Sequence, residues 1–162
     1  MATTNSTKAG RELLPAGTQA PDFSLNSTPD QRVALSDFRG SPVVLVFYPA
    51  DFSPVCGDQV ALYNEMFDEF NEHNAQLLGI SVDGAWCHLA FAKDRRLRFP
   101  LLSDFEPKGE ISKKYSAYKD DMCESSRPLF VTAAEGGITQ NHLSPAGGIQ
   151  APSGIPHHTQ SA

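Results

Sequence analysis

The sequence predicts an α/β fold in which a central mixed β-sheet is flanked by helices and preceded by an N-terminal β-hairpin. A continuous apolar run at residues 43–48 is typical of a strand covered on both faces, and residues 76–82 are predicted to form a second buried strand. A helix-length segment with an apolar stripe, residues 54–72, separates them. Because strands alternate with helices in this way, the centre of the sheet is expected to be largely parallel.

The N-terminal hairpin is predicted by alternating side chains and a turn. Residues 22–27 alternate like an edge strand, and Thr28-Pro29-Asp30 connects them to a second strand at 32–35. Ser36 to Gly40 forms a short turn that leads into the first buried strand.

Two helices are predicted after the buried strands. Pro54 suits the first turn of the helix at 54–72. A second helix is expected over 83–93. The side chains expected to face inward are Val60, Tyr63, Met66, Phe67 and Phe70 in the first helix and Trp86, Leu89 and Ala90 in the second.

The remaining elements are short. They are a strand at 99–102, a helix at 107–115 and a C-terminal hairpin of strands 129–132 and 138–143. Residues 15–143 are thus expected to form the folded domain. A polar, flexible lead (1–14) precedes it, and an irregular tail (144–162) rich in Gly, Pro and Ser follows it.

Composition excludes several functions. The 162 residues are 40% hydrophobic and 20% charged, as in a globular protein with one core. The longest apolar run is too short to cross a membrane, and the N-terminal residues lack the apolar core of a secretory signal, so a cytoplasmic protein is expected. The net charge of −6, with no basic cluster beyond residues 95–98, argues against nucleic-acid binding.

The candidates for a reactive side chain are the three cysteines, Cys56, Cys87 and Cys123. They form no C-x-x-C pair and lack the spacing of a zinc site, so no metal or cofactor is expected. A free cysteine is most often a small buried hydrophobe. Cys56 is different because it lies where a buried strand turns into a helix, and a helix N-terminus stabilises a thiolate.

The strand–helix alternation also places Cys87 near Cys56. If strands 43–48 and 76–82 are parallel, both helices begin at the same sheet edge, and each carries a cysteine near its start. A disulfide requires Cα atoms about 4.4–6.8 Å apart. We expect the two residues to be further apart than this, so bridging would need local unfolding of one helix start.

The segment around Cys56 resembles the active-site motif P-x-x-x-S-x-x-C of the peroxiredoxins, which are thiol peroxidases of thioredoxin-like fold. The similarity is closest to the branch with bacterioferritin comigratory protein and its one-cysteine relatives. It covers about residues 15–143 in order. The matching segments are Ala20-Pro21-Asp22-Phe23, Phe47-Tyr48-Pro49, Ser53-Pro54-Val55-Cys56, Phe99-Pro100-Leu101-Leu102-Ser103-Asp104 and Arg127 with Phe130-Val131.

The resemblance implies a role for each motif residue. Cys56 attacks a peroxide oxygen, Ser53 hydrogen-bonds the peroxide, Arg127 supplies positive charge and Pro49 walls the pocket. Substrate contacts are implied at Val55 and Phe47. Each residue also has a simpler interpretation: Ser53 as a helix N-cap, Arg127 as a surface ion-pair residue and Pro49 as a strand end.

The thiol that reduces the resulting sulfenic acid is left open. Relatives often carry a second cysteine further along the same helix, where this chain has Ala61. Cys87, Cys123 and an external thiol (thioredoxin, glutaredoxin or a low-molecular-weight thiol) are the candidates. The implied protein is a monomer or homodimer.

The sequence departs from the family pattern at its end, because residues 144–162 lack the closing helix of the family. Two other functions remain possible on this fold: a thioredoxin-like disulfide oxidoreductase, which normally needs C-x-x-C, and a non-enzymatic binding domain. Intact Ser53, Cys56 and Arg127 favour the peroxidase.

Overall fold

The computed structural model describes residues 12–143. The predicted tail at 144–162 and most of the predicted lead lie outside the described residues. Leu13 and Leu14, at the start of the described part, pack against the core, and the Leu14 carbonyl accepts a hydrogen bond from Asn141. None of the described helices is long and apolar enough to cross a bilayer.

The described elements form a sheet flanked by helices. In chain order they are β1 (Ser24–Thr28), β2 (Gln31–Ala34), a 3-10 turn (Leu35–Phe38), β3 (Val43–Phe47), α1 (Pro54–Glu65), α2 (Phe67–Glu72), β4 (Gln76–Ser81), α3 (Ala85–Arg95), β5 (Leu101–Ser103), α4 (Glu110–Lys114), β6 (Tyr118–Lys119), β7 (Glu124–Ser125), β8 (Pro128–Thr132) and β9 (Ile138–Leu143).

The main sheet is mixed, with the strand order β2-β1-β5-β4-β3-β8-β9. β3 pairs in parallel with β4, and β4 with β5, whereas β8 runs antiparallel to β3. The predicted N-terminal and C-terminal hairpins are both present, as β1–β2 and β8–β9. The fold prediction is therefore confirmed, including its largely parallel centre.

A separate core lies on each face of this sheet, because alternate residues of β3 point to opposite sides. Val44 and Val46 pack with α1 and α3 in one cluster, which also contains Cys56. Leu45 and Phe47 pack in the other cluster with residues of β8 and α4. Every residue of β3 is buried, as its continuous apolar run predicts.

Several details differ from the sequence predictions. The helix predicted at 54–72 is two helices, because Met66 leaves helical geometry (φ −82°, ψ 1°), and this break keeps both Tyr63 and Phe70 buried. The strand predicted at 99–102 is β5, which begins two residues later, at Leu101. The hairpin of β6 and β7 was not predicted, since its strands are too short to show alternation.

The predicted inward face of α3 is wrong. Trp86 is 74% exposed and Leu89 is 44% exposed, whereas His88 and Phe91 are the buried side chains. His88 can be buried because Asp51 and the Leu102 carbonyl satisfy its two ring nitrogens. An apolarity pattern cannot anticipate a buried histidine that finds such partners.

Candidate active site

The loop at residues 48–53, called the active-site loop below, carries the chain from the carboxyl end of β3 to α1. Pro49 is buried within it. Phe52 adopts a left-handed backbone conformation (φ +63°), which is uncommon for a bulky residue. Its half-exposed ring lies 5.0 Å, centroid to centroid, from the ring of Phe91 on α3. This contact holds the strained turn in place.

Ser53 is the N-cap of α1. Its backbone is extended (φ −66°, ψ 143°), and its hydroxyl oxygen accepts a hydrogen bond from the Cys56 N–H at 3.3 Å. Pro54 occupies the first helical turn, as predicted. The N-cap interpretation of Ser53 therefore holds, and the same contact brings its hydroxyl to the backbone of Cys56. The two roles are compatible.

Cys56 lies in the first turn of α1 and is fully buried (0% exposed). That turn contains no acidic side chain, so no carboxylate within it opposes a thiolate. The dipole of the helix start favours negative charge at this position. The Cys56 sulfur therefore lies at the positive end of the α1 dipole.

Arg127 contacts α1 from the neighbouring strand. It directly precedes β8, whose Leu129 pairs with Val46 near the end of β3. The Arg127 Nη1 donates a hydrogen bond to the Gln59 Oε1 at 3.1 Å. Gln59 is 4% exposed and lies one helical turn beyond Cys56. The structure thus brings Arg127 to the helix of Cys56 through Gln59, a residue that the sequence did not single out.

A second guanidinium also borders this turn. A Cβ atom placed on Gly57 would lie only 3.1 Å from the Nη2 of Arg95. The Arg95 Cζ lies 5.8 Å from the centroid of the Phe91 ring. In the sequence Arg95 belongs only to a short basic cluster, and nothing there indicates that it lies beside Gly57 in the first turn of α1.

The two predicted substrate contacts differ in their placement. Val55 is half-buried in the first turn of α1, next to Cys56. Phe47 is fully buried in the other core cluster, where its ring lies 5.3 Å from that of Tyr115 and 5.8 Å from that of Phe130. Phe47 lies in the core cluster on the opposite face of the sheet from Cys56, so we do not include it in the proposed site.

Comparison with known proteins places this arrangement in a family. A family model described as AhpC/TSA matches residues 16–141. A thioredoxin peroxidase of Echinococcus granulosus is 36% identical over 134 residues, which cover 76% of this chain and 68% of that protein. The chain belongs to the AhpC/TSA family.

Solved structures agree with this assignment. The reduced 2-Cys peroxiredoxin of Plasmodium vivax superposes with a TM-score of 0.76 and 32% identity, covering 84% of this chain and 89% of that one. The peroxidoxin BcpB of Mycobacterium tuberculosis gives a TM-score of 0.74 and 28% identity, with 79% and 84% covered. The chain is a peroxiredoxin of thioredoxin-like fold, a thiol-dependent peroxidase that uses a peroxide and a thiol reductant.

The three cysteines of this peroxiredoxin are all free. Cys87 is half-buried in the first turn of α3, which follows β4 at the sheet edge where α1 follows β3. Burial, and then the nearby Asp51, raise the pKa of the Cys87 thiol to about 12. Cys123 is exposed between β6 and β7, in a left-handed conformation (φ +53°). The raised pKa makes Cys87 a poor nucleophile near neutral pH, whereas Cys123 is accessible to solvent.

Asp51, Asp83 and Cys87 form a group of potential ligand atoms within 4.8 Å of one another. Both carboxylates of this group already accept hydrogen bonds. The Tyr48 hydroxyl donates to Asp51, and the Ser81 hydroxyl and the Asp51 N–H donate to Asp83. We therefore assign no metal or cofactor to these residues.

Proposed function

We propose that Cys56 is the peroxidatic cysteine of this thiol peroxidase. Its thiolate attacks one peroxide oxygen, the O–O bond breaks, and water or an alcohol leaves while Cys56 becomes a sulfenic acid. One observation carries the proposal: Cys56 occupies a capped helix start to which Gln59 ties the guanidinium of Arg127. Hydrogen peroxide and organic hydroperoxides both fit this chemistry.

The residues around Cys56 bind the peroxide and stabilise the charge that develops on its leaving oxygen. The Ser53 hydroxyl, which accepts the Cys56 N–H at the start of α1, can both donate to and accept from a peroxide. Arg127 stabilises the charge that develops on the leaving oxygen. Pro49 and Val55 would limit the pocket, and Pro49 offers no N–H that competes for the substrate.

Reduction of the Cys56 sulfenic acid back to the thiol requires a second thiol. Cys87 is a candidate because its helix starts at the same sheet edge as that of Cys56. An external thiol (thioredoxin, glutaredoxin or a small thiol) is the other main candidate, and Cys123 is a third. The proposed setting is the cytoplasm, where reduced thiols persist, and the proposed state is a monomer or homodimer.

A peroxide-consumption assay with a small dithiol as donor tests the assignment. Wild type should turn over, Cys56→Ser should show no turnover above background, and Cys123→Ser should retain the wild-type rate with this donor. Turnover by Cys56→Ser that equals the wild-type rate would contradict the proposal.

A further inference from the structure

The basic segment at residues 95–98 is not used in the chemistry proposed above. Arg98 has a structural role, because its guanidinium donates to the Asp68 carboxylate at 2.9 Å and ties this segment to α2. Arg95 differs, since its guanidinium lies against the first turn of α1. Its ion pair with the neighbouring Asp94 is made through the Nε, at 3.3 Å.

Gly57 allows this guanidinium to lie close to Cys56. A Cβ atom at position 57 would be 3.1 Å from the Arg95 Nη2 and 3.5 Å from its Nη1, so both terminal nitrogens face the helix where it has no side chain. Because adjacent Cα atoms are 3.8 Å apart, the guanidinium lies within about 9 Å of the Cys56 Cα. A short organic molecule can span this separation.

The charges around this turn are unequal in sign. Position 57 faces about 100° to one side of Cys56, whereas Gln59 faces about 60° to the other side. Gln59 accepts from Arg127, so a guanidinium contacts α1 on each side of Cys56. The first turn holds no acidic side chain, and the exposed Asp58 points nearly opposite to Cys56. An anion beside Cys56 therefore meets positive charge.

An apolar surface leads from the active-site loop to Arg95. The half-exposed Phe52, which directly precedes Ser53, has its ring 5.0 Å from that of Phe91. The Arg95 Cζ lies 5.8 Å from the centroid of the same Phe91 ring. The Arg95 side chain is 38% exposed, so solvent reaches the cation. This arrangement suits a molecule with a hydrocarbon chain and a terminal negative charge.

We propose that Arg95 is a specificity-determining residue that selects organic hydroperoxides carrying a carboxylate. The carboxylate pairs with the guanidinium, whose planar fork matches its two oxygens. The hydrocarbon chain lies along Phe52 and Phe91, and the hydroperoxide group reaches Cys56. The inference rests on the proposed function, because it concerns the substrate of that thiol.

The carboxylate is unchanged by the reaction. The Cys56 thiolate attacks the terminal peroxide oxygen, the S–O bond forms and the O–O bond breaks. The alkoxide that leaves takes a proton from water, so the products are the sulfenic acid and a hydroxy acid. Arg95 binds the end of the substrate that does not react.

A matched pair of substrates tests this role. Hydroperoxyhexanoate, with the two groups at opposite ends, and its methyl ester differ in charge, and hydrogen peroxide is the small neutral reference. Stopped-flow measurement on reduced protein gives the rate constant of Cys56 oxidation by each. Arg95→Gln should lower the rate constant for the carboxylate by about fivefold, as expected for a partly exposed ion pair. The ester and hydrogen peroxide should react within about 1.5-fold of their wild-type rates.

Two variants of α3 serve as controls. Lys93→Gln removes the same charge from an exposed position on the other side of the helix, and should leave the ratio of carboxylate to ester rate constants unchanged. Arg95→Lys keeps the charge and should retain most of that ratio. High salt should reduce the ratio in wild type, because it screens the ion pair.

Three results would overturn the proposal. The ratio could be unchanged in Arg95→Gln, or it could fall as far in Lys93→Gln, which would assign the effect to net charge. Arg95→Gln could also slow all three peroxides equally, which would place its effect on Cys56 and not on the substrate. If hydrogen peroxide does not oxidise Cys56 in wild type, the proposed function fails and this inference with it. Normal oxidation by hydrogen peroxide with an unchanged ratio refutes the role of Arg95 alone.

Discussion

Gln59 is the residue on which the position of Arg127 depends. The buried amide accepts from the guanidinium and lies one turn beyond Cys56 on the same helix. The motif in the sequence identifies Cys56, Ser53 and Arg127. It does not identify Gln59 or Arg95, because their contacts depend on how α1 packs against β8 and α3.

Replacing Gln59 by Ala should slow the oxidation of Cys56. A hydrogen bond to a charged group is worth about 1.5–3 kcal/mol, which corresponds to roughly 10–100-fold in the rate constant if Arg127 loses its position. Stopped-flow measurement of the reaction with hydrogen peroxide gives this rate constant. Gln59→Met, which keeps most of the volume but removes the acceptor, separates lost packing from the lost hydrogen bond and should slow oxidation to a similar extent. An unchanged rate in Gln59→Ala would show that Arg127 does not need this anchor.

At the scale of elements, the sequence predicts which segments form helices and strands better than which faces are buried. The apolar stripe of α1 is placed correctly because its residues are unambiguous. The face of α3 is misplaced because a buried His88 replaces an apolar residue and Trp86 is exposed. Buried polar groups follow from partners distant in the chain, which a local pattern does not contain.

Asp104 is an example of a buried polar residue whose partners are distant in the chain, because its carboxylate connects the end of β5 to the start of α4. It lies just beyond β5 and accepts from the N–H groups of Ile111 and Ser112, at 3.0 Å and 2.8 Å, and from the Ser112 hydroxyl at 2.8 Å. Burial nevertheless raises the pKa of this carboxyl above its ordinary value of 3.8. The folded state therefore binds the proton more tightly than the unfolded state does.

Stability should consequently depend on pH through Asp104. The raised pKa contributes stability that is fully present below about pH 3.8 and is lost as the pH rises through the folded-state value. Asp104→Asn should flatten this part of the stability curve, measured by urea unfolding at a series of pH values. Superimposable pH slopes for the two proteins would refute the argument.

At the scale of the whole molecule, only one of the two core clusters contains the reactive cysteine. One cluster contains Cys56 with Val60 and Phe91, and the other contains Phe130 with Phe47 and Tyr115 on the opposite face of the sheet. The sequence predicts both, because β3 is apolar on both faces. It does not predict which cluster contains the reactive sulfur, since that follows from the side on which α1 packs.

Core substitutions on the two faces should therefore differ in their effect on activity. Val60→Ala should cost roughly 1.5–3 kcal/mol of unfolding free energy and also slow Cys56 oxidation, because α1 shifts. Phe130→Leu should cost on the order of 1 kcal/mol and leave the oxidation rate unchanged. Urea unfolding and stopped-flow kinetics on the same samples make the comparison. A slower reaction in Phe130→Leu would mean that the two faces are coupled.

The central claim concerns one sulfur atom, and its oxidation state can be read directly. Reduced protein is mixed with one equivalent of hydrogen peroxide and a sulfenic-acid trap, and the modified residue is located by peptide mass spectrometry. The account predicts that the trap modifies Cys56 in the wild type and modifies no residue in Cys56→Ser. It also predicts that the sulfenic acid forms more slowly in Arg127→Ala. Peroxide consumption by well-folded protein with the trap located on Cys87 or Cys123 instead of Cys56 would contradict it.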